Sequence, residues 1–263
     1  LGAPMPFPPG GVPPTPGPGP TPTPEPGGEG PVHCYYWSDA AWQDGYLYAM
    51  TSMATGLMTG SSYLWRIDVR DPARPAVMGA VEIPDGGESL SLGDGLAVVS
   101  DGSPKVVDLS DPERPRVAAT LADRWRIGEV VAGAGNLAVR TQAYGFEGVI
   151  EFMDLGDEHM PRRLGAVPLT GGLTGEDIVL DGRIAYAAVR ERGVVVVDGT
   201  DPQAPRVVAV IPPIAQVSAV AVDGSTAYIA EADGKDGSPG ALRAFDVHDP
   251  GQPAELGQLA GDY

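Results

Sequence analysis

Short apolar runs bounded by turn residues fill the chain from about residue 32 onward. The clearest run is GVVVVD (Gly193 to Asp198), and RVVAVI (Arg206 to Ile211) follows it after a polar corner. Runs of four to eight β-branched residues between turn signals are typical of strands. No segment shows the three-to-four-residue apolar spacing of an amphipathic helix. The pattern therefore predicts an all-β protein.

A polar phrase, Asp-x-x-Asp-x-x-x-Pro, recurs five times between these runs. Four copies also carry Pro directly after the second aspartate, and the third copy has Glu158 there. Five matches at one internal spacing indicate five structural repeats. The first aspartates are Asp68, Asp108, Asp154, Asp198 and Asp246; the second are Asp71, Asp111, Asp157, Asp201 and Asp249; the closing prolines are Pro75, Pro115, Pro161, Pro205 and Pro253.

A second turn signal lies inside each repeat and predicts four strands per repeat. Asp-Gly pairs begin at Asp44, Asp94, Asp181 and Asp223, and an Ala-Gly pair stands at Ala134 in the third repeat. Each pair lies between two short apolar segments, as in an antiparallel hairpin. A repeat of about 46 residues with four strands matches one blade of a β-propeller. We predict five blades, at about 32–83, 84–123, 124–170, 171–213 and 214–263, which either pack around one axis or continue into further copies.

The spacings also predict which face of the blades varies. The distance from each first aspartate to the next turn pair is nearly constant, whereas the distance from a turn pair to its own aspartate ranges from 14 to 24 residues. The loop between the second and third strands of each blade therefore varies, and recurring variation in one loop marks one face, often a binding face. Aromatic, Arg and Met side chains in these loops and in the interblade connections are the candidate interface: Trp125, Arg124, Arg126, Tyr144, Phe146, Arg190, Arg192, Met53 and Met58.

The repeated phrase itself has two interpretations. Five aspartate pairs could form a ring of calcium ligands. The turn interpretation is favoured, because an Asp side chain accepts backbone N–H groups two residues on, and Pro presets φ and starts the next strand. Only the DGKDGS segment resembles a calcium loop, so Asp233 and Asp236 are weak metal candidates, and no other cofactor is expected.

No catalytic constellation is apparent in the sequence. The three histidines, His33, His159 and His248, are too scattered to converge on a metal or a nucleophile. The adjacent carboxylates Glu176 and Asp177 could serve acid–base chemistry, but such a pair is unremarkable among 35 acidic residues. No catalytic residue is therefore assigned.

Composition separates the first 31 residues from the rest. Residues 1–30 hold 12 Pro and 8 Gly, which favours an extended, semi-rigid arm. The formal net charge is −18, and it makes nucleic acid an improbable partner. One cysteine excludes an intramolecular disulfide framework, and no apolar run is long enough to span a membrane. A start at Leu1 followed by a Pro-rich arm suggests a mature extracytoplasmic protein whose signal peptide has been removed.

The phrases VVDLSDPERP and VVVVDGTDPQAP resemble the LVIVD repeat family, over roughly residues 40–263. The resemblance implies a secreted or cell-surface β-propeller and does not imply an activity.

The sequence leaves three functional hypotheses. The first is a non-catalytic binding or structural subunit that docks into a larger assembly, such as a filament or surface layer, through its Pro-rich arm. The second is an extracellular hydrolase or lyase with its site at the propeller mouth. The third is a calcium-dependent adhesion module.

Overall fold

The computed structural model describes residues 34–55, 58–59, 62–84, 87, 89–100, 104–111, 114–121, 127–132, 137–144, 147–157, 161–169, 176–190, 192–232 and 240–260. All regular structure in these ranges is β-strand, arranged as five antiparallel sheets. The predicted all-β fold with five four-stranded blades is confirmed. The described residues include no helix that could cross a lipid bilayer. The predicted arm, residues 1–31, lies outside them.

Each blade is a meander in which consecutive strands pair, and the first blade carries one extra two-residue strand paired to its second. The strands, in chain order, are β1 Cys34–Gln43, β2 Tyr46–Thr55, β3 Met58–Thr59, β4 Ser62–Asp68 and β5 Ala76–Ile83 in blade 1; β6 Ser89–Gly93, β7 Leu96–Ser100, β8 Lys105–Asp108 and β9 Arg116–Thr120 in blade 2; β10 Ile127–Ala132, β11 Leu137–Tyr144, β12 Glu147–Asp154 and β13 Arg162–Leu169 in blade 3; β14 Asp177–Asp181, β15 Ile184–Val189, β16 Gly193–Asp198 and β17 Arg206–Ile211 in blade 4; and β18 Gln216–Asp223, β19 Thr226–Ala232, β20 Ala241–Asp246 and β21 Ala254–Ala260 in blade 5.

Strand β16 shows why the central strands of a blade are continuous apolar runs. Its valines are all buried, but they point alternately to two different cores. Val195 and Val197 belong to a core shared with blade 3, whereas Val194 and Val196 belong to a core shared with blade 5. Because successive side chains of a strand point to opposite faces, a central strand in a blade between two neighbouring blades has apolar residues at successive positions.

Four buried cores join the five blades in sequence. Blades 1 and 2, 2 and 3, 3 and 4, and 4 and 5 each share one. Among the described residues, no core joins blade 5 to blade 1. The described blades therefore pack as a series with two ends.

The hairpin turns follow the turn chemistry of the sequence. Asp44 and Gly45 both have positive φ (52° and 83°), as a two-residue turn of type I′ requires. Gly95, Gly182 and Gly224 also lie at positive φ in the equivalent turns. The Ala134-Gly135 pair lies outside the described residues.

The repeated phrase forms the corner between the third and fourth strands of each blade. In all five copies the first aspartate accepts the backbone N–H two residues later, at 2.8–3.0 Å. In the first, fourth and fifth copies, Asp71, Asp201 and Asp249 also accept the N–H two residues on, at 3.0–3.1 Å. Every blade carries a register shift between its third and fourth strands beside this corner. Such bulges twist an outer strand and discourage edge-to-edge pairing.

Two inner-strand aspartates hold neighbouring blades together. Asp39 of blade 1 accepts the backbone N–H of Leu90 in blade 2 at 2.7 Å. Asp177 of blade 4 accepts the N–H of Val220 in blade 5 at 2.8 Å. Both carboxylates therefore orient the inner strand of the next blade.

Candidate functional site: the end faces of the blade series

The loop-face candidates are described only in part. Trp125, Arg124, Arg126, Phe146, Asp233 and Asp236 lie outside the described residues, and the side chains of Tyr144, Met53 and Met58 do as well. Arg190 forms a bidentate pair with Glu176, at 2.8 and 2.9 Å. The N–H of Arg192 closes the same turn on the carbonyl of Val189 at 2.8 Å. The two described arginines thus belong to one loop of blade 4.

The carboxylate pair Glu176 and Asp177 is divided between two structural contacts. Glu176 binds Arg190, while Asp177 holds the N–H of Val220 in the next blade. The two side chains act at different places instead of facing one common substrate position. Their geometry suits blade packing.

The corner aspartates are engaged by arginines that sequence reasoning did not single out. Arg116, Arg162 and Arg206 directly follow the closing prolines and bind Asp108, Asp154 and Asp198 at 2.6–3.0 Å. The Pro-Arg dipeptide after three of the five corners is the signal that could have revealed these pairs. In blade 1 the partner of Asp68 is Arg70, and in blade 5 the partner of Asp246 is His248.

These contacts lower the pKa values of the corner aspartates. The side-chain bond from Arg70 lowers the pKa of Asp68 to about 2, and the bonds from Thr200 and then Arg206 lower the pKa of Asp198 to about 2. The N–H of Gly156 lowers the pKa of Asp154. The reciprocal contact with Asp246 raises the pKa of His248.

Two opposing effects act on the pKa of Asp108, the corner aspartate of blade 2. Burial raises the pKa of Asp108, but hydrogen bonds from Ser110 and the nearby Arg116 outweigh it, so the net pKa is lowered. The corner acids are therefore ionised acceptors within turns.

An open depression of about 320 Å³ lies at the blade 4 corner, lined by Asp198, Thr200, Asp201, Ala204 and Arg206. Across the described ranges, no three His, Cys, Asp or Glu side chains gather as a metal site.

A buried ionic group fixes the connection between blades 4 and 5. Glu231 accepts the N–H groups of Ile214 and Ala215 at 3.1 and 2.9 Å, and it binds Arg243 at 3.1 Å. Arg243 also bonds Glu255 at 2.7 Å. Burial lowers the pKa of Arg243, but the bonds to Glu255 and Glu231 outweigh it and raise the pKa overall. This charge is structural, since its partners are the chain's own.

The face of blade 5 turned away from blade 4 carries a cluster of exposed apolar side chains, with Asp223 and Asp246 at its corner end. By strand register, Tyr228, Leu242 and Leu259 share this face, together with Ala219, Ala221, Ala230 and Ala244. We call these seven residues the blade 5 end face. Leu242 is 47% exposed and Leu259 is 57% exposed. The opposite face of the same blade, which includes Ile229 and Phe245, is buried against blade 4.

Blade 4 shows how such a face looks when it is covered. Tyr186 and Tyr228 both stand five residues after the aspartate of the turn pair, in the second strand of their blades. Tyr186 is 1% exposed because blade 5 packs on it, whereas Tyr228 is 42% exposed. The blade 5 end face is therefore the structural counterpart of a buried interblade face.

Blade 1 also carries exposed apolar side chains, on its face turned away from blade 2. Register places Trp42 with Leu47 and Ile67, Trp65 with Ala49, and Val77 with Ile67, on the face turned away from blade 2. We call these residues (Trp42, Leu47, Ala49, Trp65, Ile67 and Val77) the blade 1 end face. The Nε1–H of Trp65 donates to Thr51 on the same face at 2.8 Å. Trp42 is 67% exposed, the largest exposure among the exposed bulky apolar side chains of the described residues.

The end faces were not among the sequence-predicted site residues. Their residues follow the same alternation as buried ones, so the sequence offered no local signal apart from the recurrence of Tyr after the turn pair. Exposed apolar clusters of this kind are typical of contact surfaces.

Comparisons with known proteins agree with the fold. The LVIVD repeat model matches residues 174–209, which comprise most of blade 4. No curated protein matches the sequence.

Three solved structures show the same architecture. The computationally designed Ika8 protein has 15% identity and a TM-score of 0.59, with 86% of this chain and 62% of that chain covered. A hypothetical selenium-binding protein from Sulfolobus tokodaii has 13% identity and a TM-score of 0.56, with 82% and 59% covered. A chain of a mitotic checkpoint complex has 8% identity and a TM-score of 0.61, with 87% and 68% covered.

These identities establish the fold alone, and the chain spans only about three fifths of the length of the first two structures. The four-stranded blades with their repeated Asp-Pro corner are those of a β-propeller, and the match places an LVIVD repeat in blade 4.

Proposed function

We propose that the chain is a non-catalytic, extracytoplasmic binding or structural subunit of a larger assembly. The observation that supports this role is the cluster of exposed apolar side chains on each end face, which includes Trp42 on blade 1 and Tyr228, Leu242 and Leu259 on blade 5. Clusters of exposed apolar side chains are typical of protein contact surfaces, and this favours a protein that works in a complex.

The Pro-rich arm provides the second contact in this proposal. An extended polyproline segment is already ordered in part, so it loses little entropy when it binds along a partner's groove. We propose that residues 1–31 dock on a neighbouring subunit, while the blades supply the body of the particle. The strong negative charge of the chain favours basic protein surfaces over nucleic acid or anionic lipid.

Electron microscopy of native material, labelled with an antibody against the blades, tests the proposal. The expected result is label on a multisubunit particle, filament or surface lattice. Deletion of residues 1–31 should remove the label from the particle, while the circular dichroism spectrum of the purified variant still reports β structure. A native particle that contains one copy of this chain and no other protein would contradict the proposed role.

A further inference from the structure

We propose that the corners of blades 3, 4 and 5 determine which blade each of them packs on, through a pair of side chains that meet across the interblade contact. The first member is the residue directly after the first aspartate of the corner, which we call the corner residue. The second member lies in the third strand of the preceding blade, two residues before that blade's own first aspartate, and we call it the facing residue. This inference concerns contacts inside the blade series and is independent of the proposed function.

The corner residues lie in the cores that their blades share with the preceding blade. Leu155 of blade 3 is buried in the core shared with blade 2, and Val247 of blade 5 is buried in the core shared with blade 4. Gly199 of blade 4 is buried as well. The N–H groups of Gly199 and Val247 donate to carbonyl groups in the hairpin turns of their own blades, both at 2.8 Å, so the two corners have the same geometry. The corner is therefore part of the interblade contact as well as a turn.

The contact between blades 3 and 4 shows the pair most directly. Phe152, the facing residue in β12, is fully buried in the core that these two blades share. A Cβ atom added at Gly199 would overlap the Cε1, Cζ and Cδ1 atoms of the Phe152 ring. The ring therefore occupies the space that a side chain on the corner of blade 4 would need.

The later part of the blade 4 corner also lies close to blade 3. A Cβ atom added at Gly165, in β13, would lie 2.6 Å from the carbonyl oxygen of Pro202 and 2.7 Å from the Cδ atom of Pro205. Both distances are well below ordinary van der Waals contact, which is about 3.5–4.0 Å between carbon atoms. The corner of blade 4 therefore contacts blade 3 at two places, and both places require glycine.

The side chains of the three pairs are complementary in size. Val106 and Leu155 lie together in the core of blades 2 and 3, and Val196 and Val247 lie together in the core of blades 4 and 5. A Phe–Gly pair has as many side-chain carbon atoms as a Val–Leu pair, and a Val–Val pair has one fewer. Close-packed interiors conserve volume in this way, because missing and extra methylene groups both destabilise. Blade 1 has the buried Arg66 at the facing position, so size alone does not describe its contact with blade 2.

Wrong combinations of these residues would be destabilising, and this makes the pairs specific. Similar repeats are prone to pack in the wrong order or to exchange with another chain. A corner with Leu155 or Val247 at the place of Gly199 would collide with the Phe152 ring. Gly199 packed against Val106 would instead leave a cavity. The corner of blade 4 is thus specific for blade 3.

A double-mutant cycle in the full 263-residue chain tests the proposal. Phe152→Val opens a cavity and Gly199→Leu places a side chain against the Phe152 ring, so each change alone should raise the unfolding equilibrium constant at least about tenfold. The double variant recreates the Val–Leu pair of blades 2 and 3, and its constant should lie within about tenfold of the wild-type value. Gly199 does not have a positive φ, so leucine can adopt its backbone conformation.

Phe152→Val combined with Val247→Leu is the matched control, because Val247 is the corner residue of blade 5 and lies in a different core from Phe152. Urea unfolding followed by circular dichroism measures every variant. In the control, the effect on the unfolding constant should equal the product of the two single effects. A Phe152→Val/Gly199→Leu variant whose effect equals such a product, or a rescue of Phe152→Val by Val247→Leu, would overturn the proposal.

A milder cycle applies if Gly199→Leu alone does not fold. Phe152→Leu and Gly199→Ala change the same two positions by fewer atoms, and the double variant should be more stable than the two single effects predict. Folding of Phe152→Val/Gly199→Leu where Gly199→Leu alone stays unfolded would also support the pair. Independent effects of Phe152→Leu and Gly199→Ala would show that the two residues do not act together, and the proposal would fail.

Discussion

Tyr186 and Tyr228 offer a direct test of how the blades are stabilised. The two tyrosines occupy equivalent positions in blades 4 and 5 and follow the same Asp-Gly turn, but only Tyr186 is covered by a following blade. We expect Tyr186→Ala to destabilise the protein far more than Tyr228→Ala. The pair keeps the residue type, the strand position and the turn constant, so burial is the variable.

The expected magnitudes follow from the exposed fractions. Replacing a fully buried aromatic side chain by Ala costs about 3–5 kcal/mol, because apolar burial is lost and a cavity remains. Tyr228 is 42% exposed and borders solvent, so it leaves no closed cavity, and its removal should cost about 1–2 kcal/mol. The difference in the free energy of unfolding should therefore be at least about 2 kcal/mol.

Urea unfolding followed by circular dichroism at low protein concentration measures this difference. The midpoint should fall strongly for Tyr186→Ala and slightly for Tyr228→Ala, at similar slopes. Equal midpoints for the two variants at low concentration would refute the inference that blade 5 covers Tyr186 and that Tyr228 lies on an open face.

Three further predictions concern the polar contacts. Glu231→Gln should lower the free energy of unfolding, measured in urea, by about 2–3 kcal/mol, because the buried Arg243 loses a charged partner. Glu176→Gln, at an exposed ion pair, should cost less than about 1 kcal/mol. Equal effects of the two substitutions would contradict the buried ionic group. The free energy of unfolding should fall as the pH decreases from about 4 toward about 2, since the folded-state pKa of Asp198, about 2, lies below its unfolded value. Asp198→Asn should make this loss smaller in urea titrations at several pH values. An unchanged pH dependence in the variant would contradict the contribution of Asp198. NMR titration should give His248 a pKa above 6.5 that returns toward 6.5 in Asp246→Asn. The contribution of this pair to the free energy of unfolding is therefore present below pH 6.5 and is lost as the pH rises through the folded-state pKa. A pKa of His248 that the substitution leaves unchanged would contradict the contact.

Much of the blade architecture was readable from the sequence because its causes are local. The first aspartate of every corner binds an N–H two residues away, and the glycines of the described hairpin turns take the positive φ that the turn requires. Contacts over two to four residues recur wherever the short phrase recurs. The blade count and the place of each corner followed from five copies of one spacing.

The packing of one blade on the next depended on contacts that are distant in sequence. Asp177 acts on Val220, 43 residues later, and Asp39 acts on Leu90, 51 residues later. Neither partnership has a local signature, because the acceptor's partner is a backbone N–H of another blade. The loops that sequence reasoning favoured are described only in part, and the end faces that the structure exposes were not among its candidates.

The sequence by itself determined the strands, the turns and the repeat, since apolar runs predict the strands and side-chain hydrogen bonds over two residues set the corners. The tertiary structure decided which apolar faces are covered. Tyr186 and Tyr228 have the same turn before them and the same place in a blade, and no property of either segment distinguishes them. Their burial differs because a following blade packs on the first and none of the described blades packs on the second. Burial depends on the neighbouring blade, so only the assembled blades reveal which apolar faces stay exposed.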